Sequence, residues 1–454
     1  MTTFQDVTRR ALSGPLMSSR DFDLQLFVPT MRDAIRRNGI KYDSQTPVPT
    51  DDGLADRVFK AGLEFYEAVG TYCVDTERVI RFSAAEIKEA LSRALPYAYF
   101  GHGASRGKMV ARSPESTIHP WCSLGAAGAG VSSEAILTSL VTAYARNPLA
   151  DSITLPSLTM LEGEPVVAES PLEVEGAIRA TVLARDGLRR AGRPGLPMVN
   201  GIATAVTGRA TIAASHFGFR ETDGWEIASI AELRTNFDLL SKVAYLRAAG
   251  GNILAETGPI LGGLAGGPEG TAVLNVAYHL EGMLLKQACL HHPFPIHARY
   301  GCGTGRDTLW AHSISTQAIA RNSGFPLLNL GYTAAGPATK MALYETAAWV
   351  IVAVVSGANI EAEGVGSATH IDYLTPVEPL LASEVAHAAV GLDRRRANDI
   401  VNVLLGKYEK DIPTPPLGKR YQECCDVERG IPLPEYADLY QQVKAELGEI
   451  GLKV

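Results

Sequence analysis

The chain changes its hydrophobic rhythm near residue 116. Before that point apolar residues recur at helical spacing, as over 56–69. Ser83-Ala-Ala-Glu86 reads as a capping box, in which serine and glutamate each satisfy an exposed amide at a helix start. No strand-rich pattern precedes residue 116. Beyond it, short apolar runs alternate with longer segments of helical period. Strands are predicted at 117–123, 152–157, 196–200, 222–228, 252–256, 294–299, 326–331 and 358–362. Helices are predicted at 133–147, 171–191, 232–249, 270–290, 305–323, 335–356 and 380–393. Ser170, Pro171 and Glu173 form a helix-start signal, and Thr375-Pro376-Val377-Glu378 repeats it. The span 203–228 mixes both periods, so the fourth unit is the least regular. The most apolar run, Ala347 to Val355, is far shorter than the roughly 20 residues a bilayer needs and reads as a buried helix.

Roughly eight strand–helix units in about 280 residues predict an α/β fold of the (β/α)8 barrel type, a TIM barrel, rather than an open doubly wound sheet. The expected division is an N-terminal helical extension packed on the barrel (1–115), the barrel itself (116–403) and a tail of C-terminal helices (404–454). Such barrels place their chemistry at the C-terminal ends of the strands. Polar residues predicted there are Asn200, Glu226, Glu256, Arg299, Glu361 and Glu363.

Composition narrows the function classes. The 454 residues are 46% hydrophobic and 20% charged, with a net charge of −7. No basic block with interleaved aromatics is present, which argues against nucleic acid as a partner. The opening MTTFQDVTRRALSGPLMSS has no apolar core of a signal peptide, and no membrane span is expected. Six scattered cysteines do not form a disulfide framework, so a reducing cytoplasmic compartment is the expectation, with Cys424 and Cys425 as inert thiols.

Several motifs then point in one direction. Ala191-Gly-Arg-Pro-Gly-Leu-Pro-Met-Val-Asn200-Gly201 stands at the third predicted strand. Lys60-Ala-Gly-Leu-Glu64, Tyr72-Cys-Val-Asp75, Gly262-Gly-Leu-Ala-Gly-Gly267, Ala335-Gly-Pro337 and Tyr421-Gln-Glu-Cys424 accompany it. Together they resemble the monomethylamine:corrinoid methyltransferases of methanogens, nearly end to end. The resemblance implies a TIM barrel, often assembled into hexamers, that moves a methyl group from an amine to the cobalt of a separate corrinoid protein. The cobalamin is then carried by that partner and not held tightly by this chain. The family's site acids fall on Glu226 and Glu256. Its pyrrolysine falls on Asn200, and a glutamine facing the pyrrolysine falls on Leu330. The sequence is thus read as a non-pyrrolysine member, provided that Asn200 is natural and not a replacement for an amber-encoded residue.

That change has a chemical consequence. An amine leaves as a neutral molecule only if its nitrogen carries positive charge while the methyl is attacked. Asparagine cannot form the covalent adduct that the pyrrolysine imine is credited with; its amide only donates and accepts hydrogen bonds. The expected donor is therefore an N-methylated cation: a quaternary ammonium or similar onium, or a secondary or tertiary amine protonated by a glutamic acid. An O- or S-methyl donor is a further option. Expected roles are Glu256 as anchor or acid, Glu226 as its partner and Asn200 as a hydrogen-bond orienter. Leu330, Trp225, Tyr332, Arg299 and His297 are expected around the substrate, with aromatic faces (also Phe217, Phe219, Tyr300) for the cation and Arg299 for a substrate carboxylate. His297 is read as a barrel-interior histidine. Unmodified methylamines, a barrel that only binds a ligand or the corrinoid partner, and an unrelated barrel lyase are the competing readings. No metal is expected: Cys289, His291, His297 and Cys302 match no standard zinc spacing. Gly301-Cys-Gly-Thr-Gly305 departs from the dinucleotide fingerprint and reads as a tight loop.

Overall fold

A computed structural model describes residues 2–125, 128–199, 206–362 and 370–454; Asn200 and Glu363 lie outside the described residues. A parallel barrel forms its centre. Its strands are Cys122–Gly125, Ser152–Thr154, a bridged segment at 198–199, Gly224–Ala228, Asn252–Thr257, Leu290–Pro293, Leu328–Leu330 and Asn359–Ala362. Pairing runs through neighbouring strands in order, with single bridges Ile153–Met198, Val199–Gly224 and His291–Leu327 completing the ring, and the eighth strand pairs with the first. Closure spares the barrel strands the open edges of a flat sheet.

The helices follow the strands as the sequence predicts, including Lys340–Ser356, which is buried from Met341 onward and is apolar on nearly every face. Seven of the eight predicted strands overlap the observed ones. The sixth does not. The barrel strand is Leu290–Pro293, ahead of the predicted 294–299, and Ile296–His297 belongs instead to a small rim pairing with Ile260–Leu261. Pro293 and Pro295 lack amide hydrogens, so the ladder stops at Pro293 and the strand lies ahead of the predicted span.

The N-terminal extension is more than helical. Thr71–Cys73 pairs antiparallel with Arg78–Ile80 and parallel with Arg234–Thr235, and Tyr97–Phe100 pairs with Gly107–Val110 in a hairpin. That hairpin closes the N-terminal end of the barrel. Phe100, Met109 and Trp121 pack with Val199, Leu254, Leu290 and Leu328 in a separate apolar cluster, and Asn252 and Asn359 donate to the carbonyls of Tyr99 and Val110. The long helix Asp52–Val69 packs on Pro268–Glu281 and Arg306–Asn322. It crosses the first so closely at Gly62 that a Cβ there would lie 2.4 Å from Val276. The extension is thus built into the barrel wall. In the C-terminal part, helix Arg394–Tyr408 runs through the predicted boundary at 403/404, and Pro434–Glu449 follows.

Capping agrees at Ser83, where both halves of the box with Glu86 form. It differs at Ser170, whose hydroxyl donates to the Val167 carbonyl while Glu173 accepts from Glu169 and Thr207. A second loop competes for that carboxylate and wins it. All six cysteines are free thiols, and no helix of the described residues is long and apolar enough to cross a membrane.

The third strand, with its short ladder, is anchored by charge. Asp223 pairs with the buried Arg185 and accepts from the amides of Met198 and Arg220. Asp223→Ala would leave a buried guanidinium without its partner, a loss of about 3–5 kcal/mol. We expect a lower thermal midpoint with unchanged secondary structure at 25 °C, measured by circular dichroism.

Candidate active site

Successive residues of a strand alternate between lumen and outer wall. The apolar floor of Val199, Leu254, Leu290 and Leu328 fixes that parity. Two residues further toward the C-terminal end come Glu256, His292 and Leu330 on the fifth, sixth and seventh strands. Glu226 follows Gly224, where a Cβ would meet Leu254, Val199 and Phe100, and Glu361 follows Asn359, which binds the Trp121 amide. Ser123 and Thr154 complete this layer, joined at 3.0 Å, with Thr154 donating to the Val199 carbonyl. One layer of the lumen therefore carries three carboxylates, one imidazole, two hydroxyls and one leucine.

The charged members converge. His292 Nδ1 stands 3.8 Å from Glu226 Oε1, and its Nε2 stands 3.4 Å from Glu361 Oε2. Side chains of Glu226, His292 and Glu361 are at most 1% exposed, while Glu256 keeps some exposure. Burial pushes the His292 imidazole down to about 3, so it is neutral at physiological pH. Burial pushes the Glu256 carboxyl above its ordinary value, against the pull of Lys286 and Lys242. Such a group holds its proton more readily than a surface glutamate and is suited to acid or base work.

Glu226, Glu256 and His292 offer ligand atoms within 4.8 Å of one another, the one grouping among the described residues that could hold a metal ion. His297, Cys289 and Cys302 do not join it. The same donor set fits an ammonium group, whose charge carboxylates balance without a metal.

The structure brings Glu226, Glu256 and Leu330 together as the sequence suggests, with Leu330 beside Glu361 in the ladder. It does not bring Trp225, Arg299 or His297 into the lumen. Trp225 neighbours Glu226 and so points to the opposite face, where it packs on Phe219 with ring centroids 4.2 Å apart. Arg299 is exposed with its guanidinium over Tyr300, and His297 lines a separate cavity of about 320 Å³ with Tyr42, Tyr300, Asp307 and Glu409. Phe217 is exposed at the surface. Tyr332, just beyond Leu330, stacks edge-on with Phe294 at 5.5 Å. The interior histidine is His292, not His297; the four-residue displacement of the sixth strand moved the assignment. His292 had one sequence signal, a polar residue two positions after Leu290 in a run ended by proline. Glu361 was visible only as a strand-end acid.

Comparison with known proteins places this lumen. The family described as "Monomethylamine methyltransferase MtmB" matches residues 2–452. This chain belongs to that family. Monomethylamine methyltransferase MtmB2 of Methanosarcina acetivorans is 32% identical over 98% of the chain and 97% of its own length, and MtmB1 of Methanosarcina barkeri is 31% identical over the same shares. The crystal structure of the M. barkeri enzyme superposes with a TM-score of 0.96 at 29% identity, over 99% of this chain and 98% of that one. A crystal structure of that enzyme's hydroxylamine complex matches equally well. The chain is accordingly a methyltransferase of the corrinoid-dependent kind, on a TIM barrel.

Because Trp225 faces the helices, Trp225→Leu is expected to cost about 1–3 kcal/mol of stability through lost burial. KM for the methyl donor should stay within twofold of the parent in steady-state assays of the folded variant. A large rise in KM would place the indole in the substrate cavity after all.

Proposed function

We propose that this chain moves a methyl group from a small N-methylated cation to the cobalt of a cognate corrinoid protein. The carboxylate cluster around His292, set above an apolar floor, carries this reading. A positive nitrogen entering from the open end meets Glu226 and Glu256 on one side and Glu361 across the lumen. A single pair of unit charges 4 Å apart attracts by about 4 kcal/mol at an effective dielectric of 20. Leu330 gives a methyl-sized apolar wall where an amide would offer hydrogen bonds. This combination suits a quaternary or fully substituted ammonium, and a protonated methylamine fits the same anchors with fewer apolar contacts.

The cobalt nucleophile belongs to the partner. This chain's residues bind the donor, keep its charge on nitrogen and aim its methyl at the mouth. The C–N bond breaks as the methyl passes to cobalt, and the nitrogen keeps the electron pair and leaves as a neutral amine. Glu256 holds the cation or, for a protonatable amine, supplies the proton, with Glu226 beside it. Asn200 is assigned on sequence alone as the group that orients the donor. The cytoplasm is the expected location, and assembly into homo-oligomers, as hexamers, is the expectation carried by the family.

The test is direct. The chain is mixed with a corrinoid protein reduced to Co(I) and a panel of quaternary ammonium compounds, betaines and mono-, di- and trimethylamine. The visible spectrum is then followed for methylated cobalt. Turnover of a quaternary or tertiary donor is the expected result; turnover of monomethylamine alone would remove the cation-specific reading, and no turnover with any donor would favour a binding protein. Sequencing codon 200 of the source gene checks that Asn200 is native.

Glu256→Gln keeps shape but removes charge and is expected to lower kcat/KM by about 100-fold, corresponding to about 2.7 kcal/mol. Unchanged methyl transfer with the true donor would end the assignment. Because burial raises the Glu256 pKa, donor binding that needs its carboxylate should weaken as pH falls through a value above 4.5. A quaternary donor, which cannot titrate, isolates that limb in a KM-against-pH profile. Exhaustive dialysis against EDTA should leave activity intact; loss restored by a divalent metal would instead assign Glu226, Glu256 and His292 as ligands.

A further inference from the structure

Behind the fourth and fifth strands lies a buried lysine that the methyl-transfer scheme does not use. Helix Pro268–Glu281 continues into a π-helical turn, Gly282–Lys286, which ends at Gln287 with φ 51°. The turn presses against the barrel: a Cβ on Gly282 would lie 2.5 Å from that of Ala255. The wider turn delivers Lys286 to the ends of two strands. Its Nζ donates to the Ile227 carbonyl at 2.7 Å, the Ser229 hydroxyl at 2.6 Å and the Glu256 carbonyl at 3.2 Å. Three ammonium hydrogens thus meet three acceptors.

The charge is answered on the far side. Ser229 donates to Glu281, and Glu281 also accepts from Thr71, whose hydroxyl contacts that of Tyr66. Thr71 and Tyr66 belong to the N-terminal extension, so the network runs from that extension to the strands that carry Glu226 and Glu256. Every member except Ser229 and Glu256 is buried. Burial lowers the Lys286 pKa to about 8, against the pull of Glu281 and Glu256, which leaves it charged at neutral pH.

We propose that Lys286 is a positioning residue for the cation grip: it draws the Ile227 and Glu256 carbonyls to one buried ammonium and so sets the spacing of Glu226 and Glu256. The proposal rests on the cation-binding reading above. The residue itself touches no substrate. Its neighbours explain why a lysine is used. Two strand-end carbonyls and a hydroxyl take three donors from one point; an apolar side chain would remove all three and leave the Glu256 carbonyl only the Ser229 amide, at 2.9 Å. Glu281 keeps the ammonium from being an isolated buried charge.

Lys286→Met and Lys286→Gln, in the full-length protein, test this at a temperature well below their melting midpoints. Hydrogen–deuterium exchange followed by mass spectrometry reads the strands without any ligand. Faster exchange confined to peptides covering 224–230 and 252–258 is expected, by at least tenfold. Unchanged protection there, or an even rise across the barrel, overturns the proposal in favour of bulk stabilisation. Calorimetric binding of tetramethylammonium and methylammonium chloride supplies the second readout. At least tenfold weaker binding than the parent is expected. Tighter binding overturns the proposal, because a lost positive charge acting only through its field would strengthen a cation's hold. Should the parent bind neither probe, the cation reading fails, while the exchange measurement still decides the role of Lys286. Lys286→Gln, which keeps two donors, should lie between the parent and Lys286→Met.

Discussion

Everything at the centre of this barrel follows from one constraint: a closed parallel sheet sends every second side chain into a narrow shared lumen. Those side chains must fill it, and each layer has its own solvent. In the lower layer Val199, Leu254, Leu290 and Leu328 meet the hairpin residues Phe100 and Met109 and exclude water. One layer up, the fourth, fifth, sixth and eighth strands present Glu226, Glu256, His292 and Glu361. Carboxylates placed above a dry floor cannot be screened from below, so their charge is answered by hydrogen bonds at their own level or by a cation arriving from above. On the proposed function, charge selects the donor before shape does.

Much of this architecture was legible in the chain. The alternation of strand and helix periods yields the barrel, and the polar residue at the end of an apolar strand marks the site, as for Glu226 and Glu256. What escaped did so for identifiable reasons. Trp225 was grouped with its neighbour Glu226 by nearness in sequence, although adjacent strand residues face opposite ways. The sixth strand was displaced because Leu290-His-His-Pro293 is polar where a barrel strand is usually apolar, and the apolar Phe294–Ile296 stretch drew the assignment. The hairpins at 71–80 and 97–110 lie within a largely helical stretch, and each strand is stabilised by partners far along the chain, which no local pattern displays. Ser170 shows the same effect on a smaller scale: a tertiary partner, Thr207, captured the carboxylate that would have closed the local box.

Membership in the monomethylamine methyltransferase family and a superposition over nearly the whole chain mean that the scaffold is shared. A scaffold whose walls are set by buried helices such as Lys340–Ser356 tolerates exchange of inward residues as long as each layer keeps its volume. Leu330 is such a position: its outer neighbour Gly331 is clamped against Trp349, where a Cβ would stand 2.4 Å from the indole, so the backbone is held while the inward side chain is free to vary in chemistry.

The hairpin of Tyr97–Phe100 and Gly107–Val110 has a consequence of its own. By stoppering the N-terminal end, it leaves the opposite end as the way in among the described residues. On the proposed function, a donor and a bulky acceptor that share that entrance bind in order, the small molecule before the large one. Traffic, and not only chemistry, is thereby written into a pair of short strands at the opposite end of the molecule from the reaction.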